Sequence, residues 1–251
     1  MSTVFELMSL KGRTAIVTGA CGHIGQVICE TLGELGANVI SVDRPGQTAC
    51  FSCDLEIQEQ RDELVCWIKS SYEKINILVN NAAFVGTSEL QGWSVLFEEQ
   101  TVGTWRRALE VNLTACFDLC RNLSPLMRNS KGSSIINMGS LYAELGPDWR
   151  LYEGTNMSNP AAYAASKGGL VQLTRWLSTT MAPQVRVNAI SPGGVLRGQP
   201  DVFVKRYESR VPLGRMAIES DFKGVVAYLA SDLSSYVTGQ NICVDGGFGV
   251  W

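Results

Sequence analysis

The sequence predicts an α/β fold, a single domain built on a doubly wound parallel sheet of about seven strands with helices on both faces. Three observations lead there. Short apolar, β-rich runs alternate with longer segments of helical periodicity along the chain, and such alternation folds as right-handed βαβ units whose crossovers cover both faces of a parallel sheet. A glycine-rich turn, "TGACGHIG" at 18–25, follows the first run and opens the first helical pattern. No linker, repeat or low-complexity tract interrupts the 251 residues, a length that one large domain accommodates.

Taken in order, "RTAIVTG" (13–19) reads as a buried strand. Residues 24–35 read as a helix, with Ile24, Val27, Ile28, Leu32 and Leu35 at helical spacing and Gly36 as its stop. "NVISVD" (38–43) and "TACFSCD" (48–54) follow as strands, 56–71 as a helix and "INILVNNA" (75–82) as a strand. A long helix over about 101–128 carries Trp105, Leu109, Asn112, Leu113, Cys116 and Cys120 in one stripe. Then come a strand at 133–140, a helix at 161–181, a strand and turn at 185–194, a helix at 219–230 and a closing strand at 241–247. The nucleotide-binding half is expected over about 1–130 and the catalytic half over about 131–251.

Composition excludes several classes. Hydrophobic residues make up 45%, charged residues 18%, and the net charge is −3, a globular profile with no electrostatic basis for a nucleic-acid partner. No run reaches the roughly 18 apolar residues of a membrane span. "MSTVFELMSLKGR" lacks the basic start, long apolar run and cleavage site of a secretory signal. The expected location is therefore the cytoplasm, with no membrane partner. The 8 cysteines read as reduced core thiols, and the Cys50–Cys53 pair as a strand end, because no second pair or neighbouring histidine completes a metal site. No metal is expected. His23 is the only histidine, which removes Ser–His catalysis elsewhere.

The glycine turn has a physical reading. Gly19, Gly22 and Gly25 let the backbone turn tightly and approach a pyrophosphate, while His23 and Ile24 open a helix whose free N–H groups and positive dipole end favour an anion. Asp43 lies 18 residues after Gly25 at the tip of the second strand, placed to accept hydrogen bonds from a ribose hydroxyl. Its carboxylate repels the extra phosphate of NADP and favours NAD, whereas Arg44 next door suits that phosphate. In the second half, Tyr163 and Lys167 of "YAASK" are i, i+4 on one helix and share a face. A neighbouring ammonium lowers a phenol's pKa, which equips Tyr163 to exchange a proton with an alcohol or carbonyl.

With these motifs stand "CDL" at 53–55, "NNAA" at 80–83, "VNL" at 111–113, "NMGS" at 137–140, "NAISPGG" at 188–194, "PLGR" at 212–215 and "TGQNICVDGG" at 238–247. In that order the chain resembles a short-chain dehydrogenase/reductase, a single Rossmann domain, over almost its whole length. The resemblance implies that Tyr163 is the catalytic acid/base and that Lys167 binds the nicotinamide ribose and tunes it. It implies that Ser140 hydrogen-bonds the substrate oxygen and that Asn112 holds a water in a relay with Lys167 by means of a helix distortion. A polar side chain in the apolar stripe of 101–128 needs a buried partner in any case. Asp54 and Leu55 are implied beside the adenine, Asn81, Ala82 and Ala83 along the cofactor cleft, and Pro192, Gly193 and Val195 around the carboxamide.

Two departures from the family pattern stand out. His23 replaces the usual glycine, with Gly22 one place earlier, a spacing similar to the extended branch, many of whose members act on nucleotide sugars. After "PGG" the chain runs "VLRGQP" without the threonine that often helps hold the nicotinamide. Segments such as "LYEGTNMSNPAAYAASKGG" also resemble sugar-modifying members of flagellin-glycan and nonulosonate clusters.

Ser140 and Tyr163 are 23 residues apart, more than the family's common spacing, so "GPDWRLYEGTNMSN" (146–159) is expected to loop over the cleft mouth. Tyr142, Trp149, Arg150, Tyr152 and Asn156 are then candidate substrate ligands, with Arg150 gripping a carboxylate or phosphate. The expected activity is hydride transfer between NAD, less readily NADP, and a secondary alcohol or ketone of a sugar derivative (nucleotide sugar, sugar phosphate or sugar acid). An epimerase or dehydratase with retained NAD, and a non-catalytic dinucleotide sensor, stay open. The resemblance and the two long helices imply a homotetramer or homodimer.

Overall fold

The computed structural model describes residues 2–84 and 90–251. Its centre is a seven-stranded sheet, wholly parallel. In chain order the elements are helix α1 (Val4–Met8), strand β1 (Thr14–Thr18), α2 (His23–Glu34), β2 (Asn38–Asp43), β3 (Phe51–Ser52), α3 (Gln58–Ser71) and β4 (Ile77–Asn80). They continue as α4 (Val102–Leu109), a π-helical turn at Glu110–Thr114, α5 (Ala115–Arg128), β5 (Ser133–Met138), α6 (Ala161–Met181), β6 (Val185–Pro192), α7 (Asp201–Glu208), α8 (Lys223–Ala230) and β7 (Asn241–Val244). The strand order is β3-β2-β1-β4-β5-β6-β7. The chain therefore winds outward from β1 in one direction and from β4 in the other, which puts a crevice at the carboxyl ends of β1 and β4.

Alternation along the strands explains the two helical layers. Ile16, Leu78 and Ile135 join the core packed by α3, α5 and α6 through Leu64, Ile68, Leu119, Leu123 and Met181. Their neighbours Ala15, Val17, Ile77, Val79 and Ile136 face the opposite core, with Ile28 and Leu32 of α2 and Val226 and Leu229 of α8. Side chains on a strand alternate between faces, so both must be apolar when both are covered. Full burial of each valine, leucine or isoleucine among them contributes about 1.5–3 kcal/mol.

Helix ends follow local chemistry. After α2, Gly36 takes φ +96°; its N–H meets the Gly33 carbonyl and that of Ala37 meets Leu32, the paired bonds of a Schellman stop. The capping box of α1, in which Thr3 Oγ1 accepts from Glu6 N and Glu6 Oε2 accepts from Thr3 N, lies outside the elements expected from sequence.

Several expected spans are corrected. The continuous helix over 101–128 is two helices joined by the π turn. The 48–54 strand shrinks to Phe51–Ser52, and the 219–230 helix begins as a 3-10 turn at Glu219–Phe222. Helix α7 was not expected at all. It brings Phe203 and Tyr207 into a third apolar cluster with Leu141, Leu151, Val211, Met216 and Phe248.

Candidate active site

The glycine turn is forced by close approach. Gly19 has φ +62°, and a Cβ there would lie 2.7 Å from the Ala82 Cα. A Cβ on Gly25 would lie 2.0 Å from the Gly19 carbonyl oxygen, so α2 packs directly on the turn. Gly22 is the N-cap of α2 at φ −71°, an angle open to any residue, and a Cβ there would lie 3.3 Å from the Gly19 carbonyl oxygen. Gln26 N–H bonds the Gly22 carbonyl, and the N–H groups of the first turn before it point out of the helix end. This small-residue cradle with its helix terminus fits a dinucleotide pyrophosphate. Ile24 packs against the core. His23 points away: its side chain is 69% exposed, with Nδ1 3.9 Å from Glu219.

Asn81 locks the turn, its Nδ2 donating to the carbonyls of Thr18 and Gly19 at 2.9 Å. Thr18 Oγ1 accepts from the N–H groups of Asn81 and Ala82, each at 3.1 Å, and Ala83 follows, partly buried. Thr18 was not singled out in the sequence, although it occupies the last position of β1. Asp43 ends β2 and ties it to the glycine turn, Oδ2 accepting from Cys21 N at 2.7 Å and Oδ1 from Arg44 N at 2.8 Å. Each carboxylate oxygen keeps a further lone pair for a ribose hydroxyl. The Arg44 residue is exposed. Asp54 Oδ1 accepts from Glu56 N at 3.0 Å, and the buried Leu55 has its carbonyl bonded by Arg61.

Arg61 is a second residue that sequence reasoning missed. It is buried between α3 and the π turn, its guanidinium 2.6 Å from Glu110 and 3.3 Å from Asp118. Helical spacing alone gives no hint of this, because Arg61 looks like a surface charge until Glu110 and Asp118 arrive from 49 and 57 residues away.

The residues expected to be catalytic come together where β5, α6 and the π turn meet. Asn112 is fully buried in the π turn. Its Oδ1 accepts from Phe84 N at 2.6 Å and its Nδ2 donates to Ser166 Oγ at 3.0 Å. The expected helix distortion is thus present, and the buried partners are Phe84 and Ser166. Lys167 is buried as well; its Nζ donates to the Met138 carbonyl at 2.7 Å and lies 5.8 Å from the Tyr163 ring centroid. Burial pulls the Lys167 pKa down to about 8.

Ser140 and Tyr163 line one cavity of about 160 Å3. Ser140 Oγ accepts from Tyr142 N at 3.2 Å. The Tyr163 pKa is raised, because burial outweighs the hydrogen bond from Ser140 and the nearby Arg197 charge, both of which favour the phenolate. This corrects the expectation that Lys167 lowers it. The ammonium is directed at Met138, and desolvation of the phenolate is the larger effect.

Beyond β6, a Cβ on Gly193 would lie 2.7 Å from the Asp245 Cα, and Gly194 N–H donates to Tyr207 Oη at 2.5 Å. Pro192 and Gly193 border the cavity of Ser140 and Tyr163. In place of the family threonine, Gln199 Nε2 donates to the Val195 carbonyl at 2.7 Å, Arg197 pairs with Glu219 at 3.2 Å, and Val195 bridges to Ala217.

The insertion divides. Tyr142 and Tyr152 line the cavity of Ser140 and Tyr163 and share a hydroxyl–hydroxyl bond of 2.5 Å. Trp149 and Asn156 line a neighbouring cavity of about 800 Å3 instead. Arg150 departs from the expectation. Its side chain is 78% exposed and forks onto Asp148 at 2.9 and 3.0 Å, and it borders neither cavity, because Asp148, also bonded by Arg210, satisfies it locally. Among the described residues no cluster of His, Cys, Asp and Glu is placed to hold a metal, and no helix is long and apolar enough to cross a membrane.

Comparison with known proteins agrees with this geometry. A family model described as Enoyl-(Acyl carrier protein) reductase matches residues 19–249. The chain is 30% identical to the 3-oxoacyl-acyl-carrier-protein reductase FabG of Thermotoga maritima, covering 96% of this chain and 99% of that one. A short-chain dehydrogenase of Leptospira borgpetersenii with bound NAD+ superposes with a TM-score of 0.84 at 30% identity, over 99% of this chain and 96% of that one. A putative NAD(P)-dependent gluconate 5-dehydrogenase of Beutenbergia cavernae with bound NADP gives a TM-score of 0.84 at 32% identity, over 98% and 100%. Fold and relatives define an NAD(P)-dependent oxidoreductase. The chain belongs to the short-chain dehydrogenase/reductase family. Its relatives' names span acyl-carrier-protein and gluconate substrates, so membership alone does not fix the substrate. They lend no support to the narrower likeness to flagellin-glycan and nonulosonate members.

Proposed function

We propose that the protein interconverts a secondary alcohol and a ketone on a sugar derivative, with Tyr163 as acid/base, Ser140 on the substrate oxygen, and Lys167 and Asn112 in support. The observation that carries this reading is the convergence of Ser140 and Tyr163 on one small cavity beside a buried Lys167. A nicotinamide cofactor held in the crevice would supply or accept the hydride. In the reducing direction the Tyr163 phenol, kept protonated by burial, gives its proton to the carbonyl oxygen that Ser140 orients. In the oxidising direction the phenolate takes the proton back. Lys167, charged below a pH of about 8, offers N–H donors to the nicotinamide ribose, and Asn112 fixes Phe84 and Ser166 around that point.

The cofactor favoured is NAD, since the Asp43 carboxylate at the end of β2 repels the extra phosphate of NADP. The sugar reading draws on the hydroxyl-lined cavity of Ser140, Tyr142, Tyr152 and Tyr163 and on the named gluconate substrate of a relative. A sugar acid or polyol suits a cavity of about 160 Å3 better than a nucleotide sugar. The eight free cysteines suit the reducing cytoplasm. Exposed Trp105, Phe117 and Trp176 on α4, α5 and α6 suit a homotetramer or homodimer.

The test is a panel of sugar acids, polyols, sugar phosphates and nucleotide sugars incubated with NAD, followed by NADH absorbance. Turnover of a sugar acid or polyol is expected. Activity confined to non-sugar secondary alcohols, included as controls, contradicts the substrate reading.

A further inference from the structure

Arg61 of α3 is 1% exposed, and each nitrogen of its guanidinium is engaged. Nε donates to Asp118 Oδ2 at 3.3 Å, and one terminal nitrogen donates to the Leu55 carbonyl. The other donates to Gln58 Oε1 at 2.5 Å and to Glu110 Oε1 at 2.6 Å. Burial opposes ionisation of Asp118, yet hydrogen bonds from Gln58, Arg121 and Arg61 hold its carboxyl below the ordinary carboxylate range. A buried ion cluster is weak evidence for added stability, and its best-attested use is to fix register.

The register at stake is that of the helix carrying Asn112. Glu110 is the first residue of the π turn, and Asp118 lies beyond it in α5. Across the turn the Ala115 N–H donates to the Glu110 carbonyl, an i to i+5 bond that takes up one residue more than an α-helical turn. Glu110 and Asp118 are eight residues apart. An unbroken α-helix, at about 100° per residue, would turn them ~80° away from each other. With one residue absorbed by the π turn they stand as i and i+7, within ~20°, and one guanidinium meets both. The two contacts of Arg61 thus depend on the extra residue lying between 110 and 118.

The place of that residue decides where Asn112 points. Its Oδ1 accepts from Phe84 N at 2.6 Å and its Nδ2 donates to Ser166 Oγ at 3.0 Å. A helical segment that gains or loses the extra residue turns by about 100°, which carries the amide off both bonds. Arg121 supplies the contrast. It also pairs with Asp118, at 2.9 Å, but from three places along the same helix and with a side chain 61% exposed, so it does not span the turn.

We propose that Arg61 is a positioning residue for the reaction, which by gripping Glu110 and Asp118 together keeps the extra residue between them and holds Asn112 on Phe84 and Ser166. The proposal rests on the oxidoreductase reading for the part Asn112 plays in the reaction, and on the geometry of the grip for the positioning.

Amide hydrogen exchange at Phe84, resolved to the single residue in the NAD-loaded protein, reads the position of Asn112 without turnover. Arg61→Lys keeps the buried charge but loses the fork that reaches both carboxylates. Glu110→Ala cuts the grip at its partly exposed end, where the side chain is 33% exposed and the fold is least at risk. Both are expected to speed exchange at Phe84 about tenfold or more, with the β4 amides within about twofold of the wild type. Glu110→Gln keeps an oxygen for the guanidinium and should retain slow exchange, as should Arg121→Gln. On the substrate that the panel identifies, Arg61→Lys and Glu110→Ala should lower kcat about tenfold or more with KM changed less than about threefold, and Glu110→Gln should stay near the wild-type value. Unchanged exchange at Phe84, equal acceleration in β4, an equal effect of Arg121→Gln, or faster exchange at an unchanged kcat overturns the proposal. Exchange needs no turnover, so a failed grip is told apart from a failed oxidoreductase reading, which the substrate panel on the unaltered protein tests.

Discussion

Lys167 reaches beneath Tyr163 to the carbonyl of Met138, 2.7 Å from its Nζ, and leaves that nitrogen 5.8 Å from the tyrosine ring centroid. The contact joins helix α6 to the end of β5. It also puts an ammonium where water does not reach, and burial draws its pKa to about 8.

A pH-dependent stability follows from that depression. Between a pH of about 8 and the ordinary lysine value near ~10.4, the unfolded chain binds a proton that the folded chain has released. Stability from this group therefore rises with pH through that window and is flat below it, where both states are protonated. Urea denaturation of the wild type and of Lys167→Met, at matched pH values, should show the rise in the former and its reduction in the latter. Parallel curves would remove Lys167 as the titrating group.

Direction of catalysis should depend on pH through Tyr163. Its raised pKa keeps the phenol protonated near neutrality, which suits carbonyl reduction, whereas oxidation needs the phenolate. The ratio of oxidation to reduction kcat is expected to climb as the medium becomes alkaline. A ratio independent of pH would mean that another group carries the proton.

Asn112 is the polar centre of the π turn. Asn112→Ala leaves the Phe84 N–H without its acceptor and Ser166 without its donor, so the expected loss of stability is about 1–3 kcal/mol, read from chemical denaturation. A loss within ~0.5 kcal/mol would show that water replaces both bonds.

Asp43 should set cofactor choice. Calorimetry on the wild type is expected to give tighter NAD than NADP, and Asp43→Asn, which keeps an acceptor for the Cys21 N–H, should narrow the difference. Tighter NADP binding by the unaltered protein would transfer the role of ligand to Arg44.

The sequence conveyed what depends on local chemistry. Gly19, Gly25 and Gly36 sit where close approach or positive φ requires them, and strand alternation around Ile16, Leu78 and Ile135 marks the two cores. Asn112 was conspicuous because a polar residue in an apolar stripe needs partners, though only the fold identifies them as Phe84 and Ser166. What escaped is long-range. The Arg61 ion cluster, the Tyr207 bond to Gly194 and the packing of α7 over the cleft arise from residues distant in sequence. Arg150 was misjudged because residue type alone does not reveal that Asp148, two places away, already occupies its guanidinium.

The central claim is that Tyr163 moves the proton in a cavity it shares with Ser140. The most direct measurement is kcat of Tyr163→Phe beside its cofactor dissociation constant, since the substitution removes only the phenolic oxygen. The account predicts a fall in kcat of about 10²–10⁴-fold with cofactor affinity unchanged. A variant that turns over at the wild-type rate would contradict it.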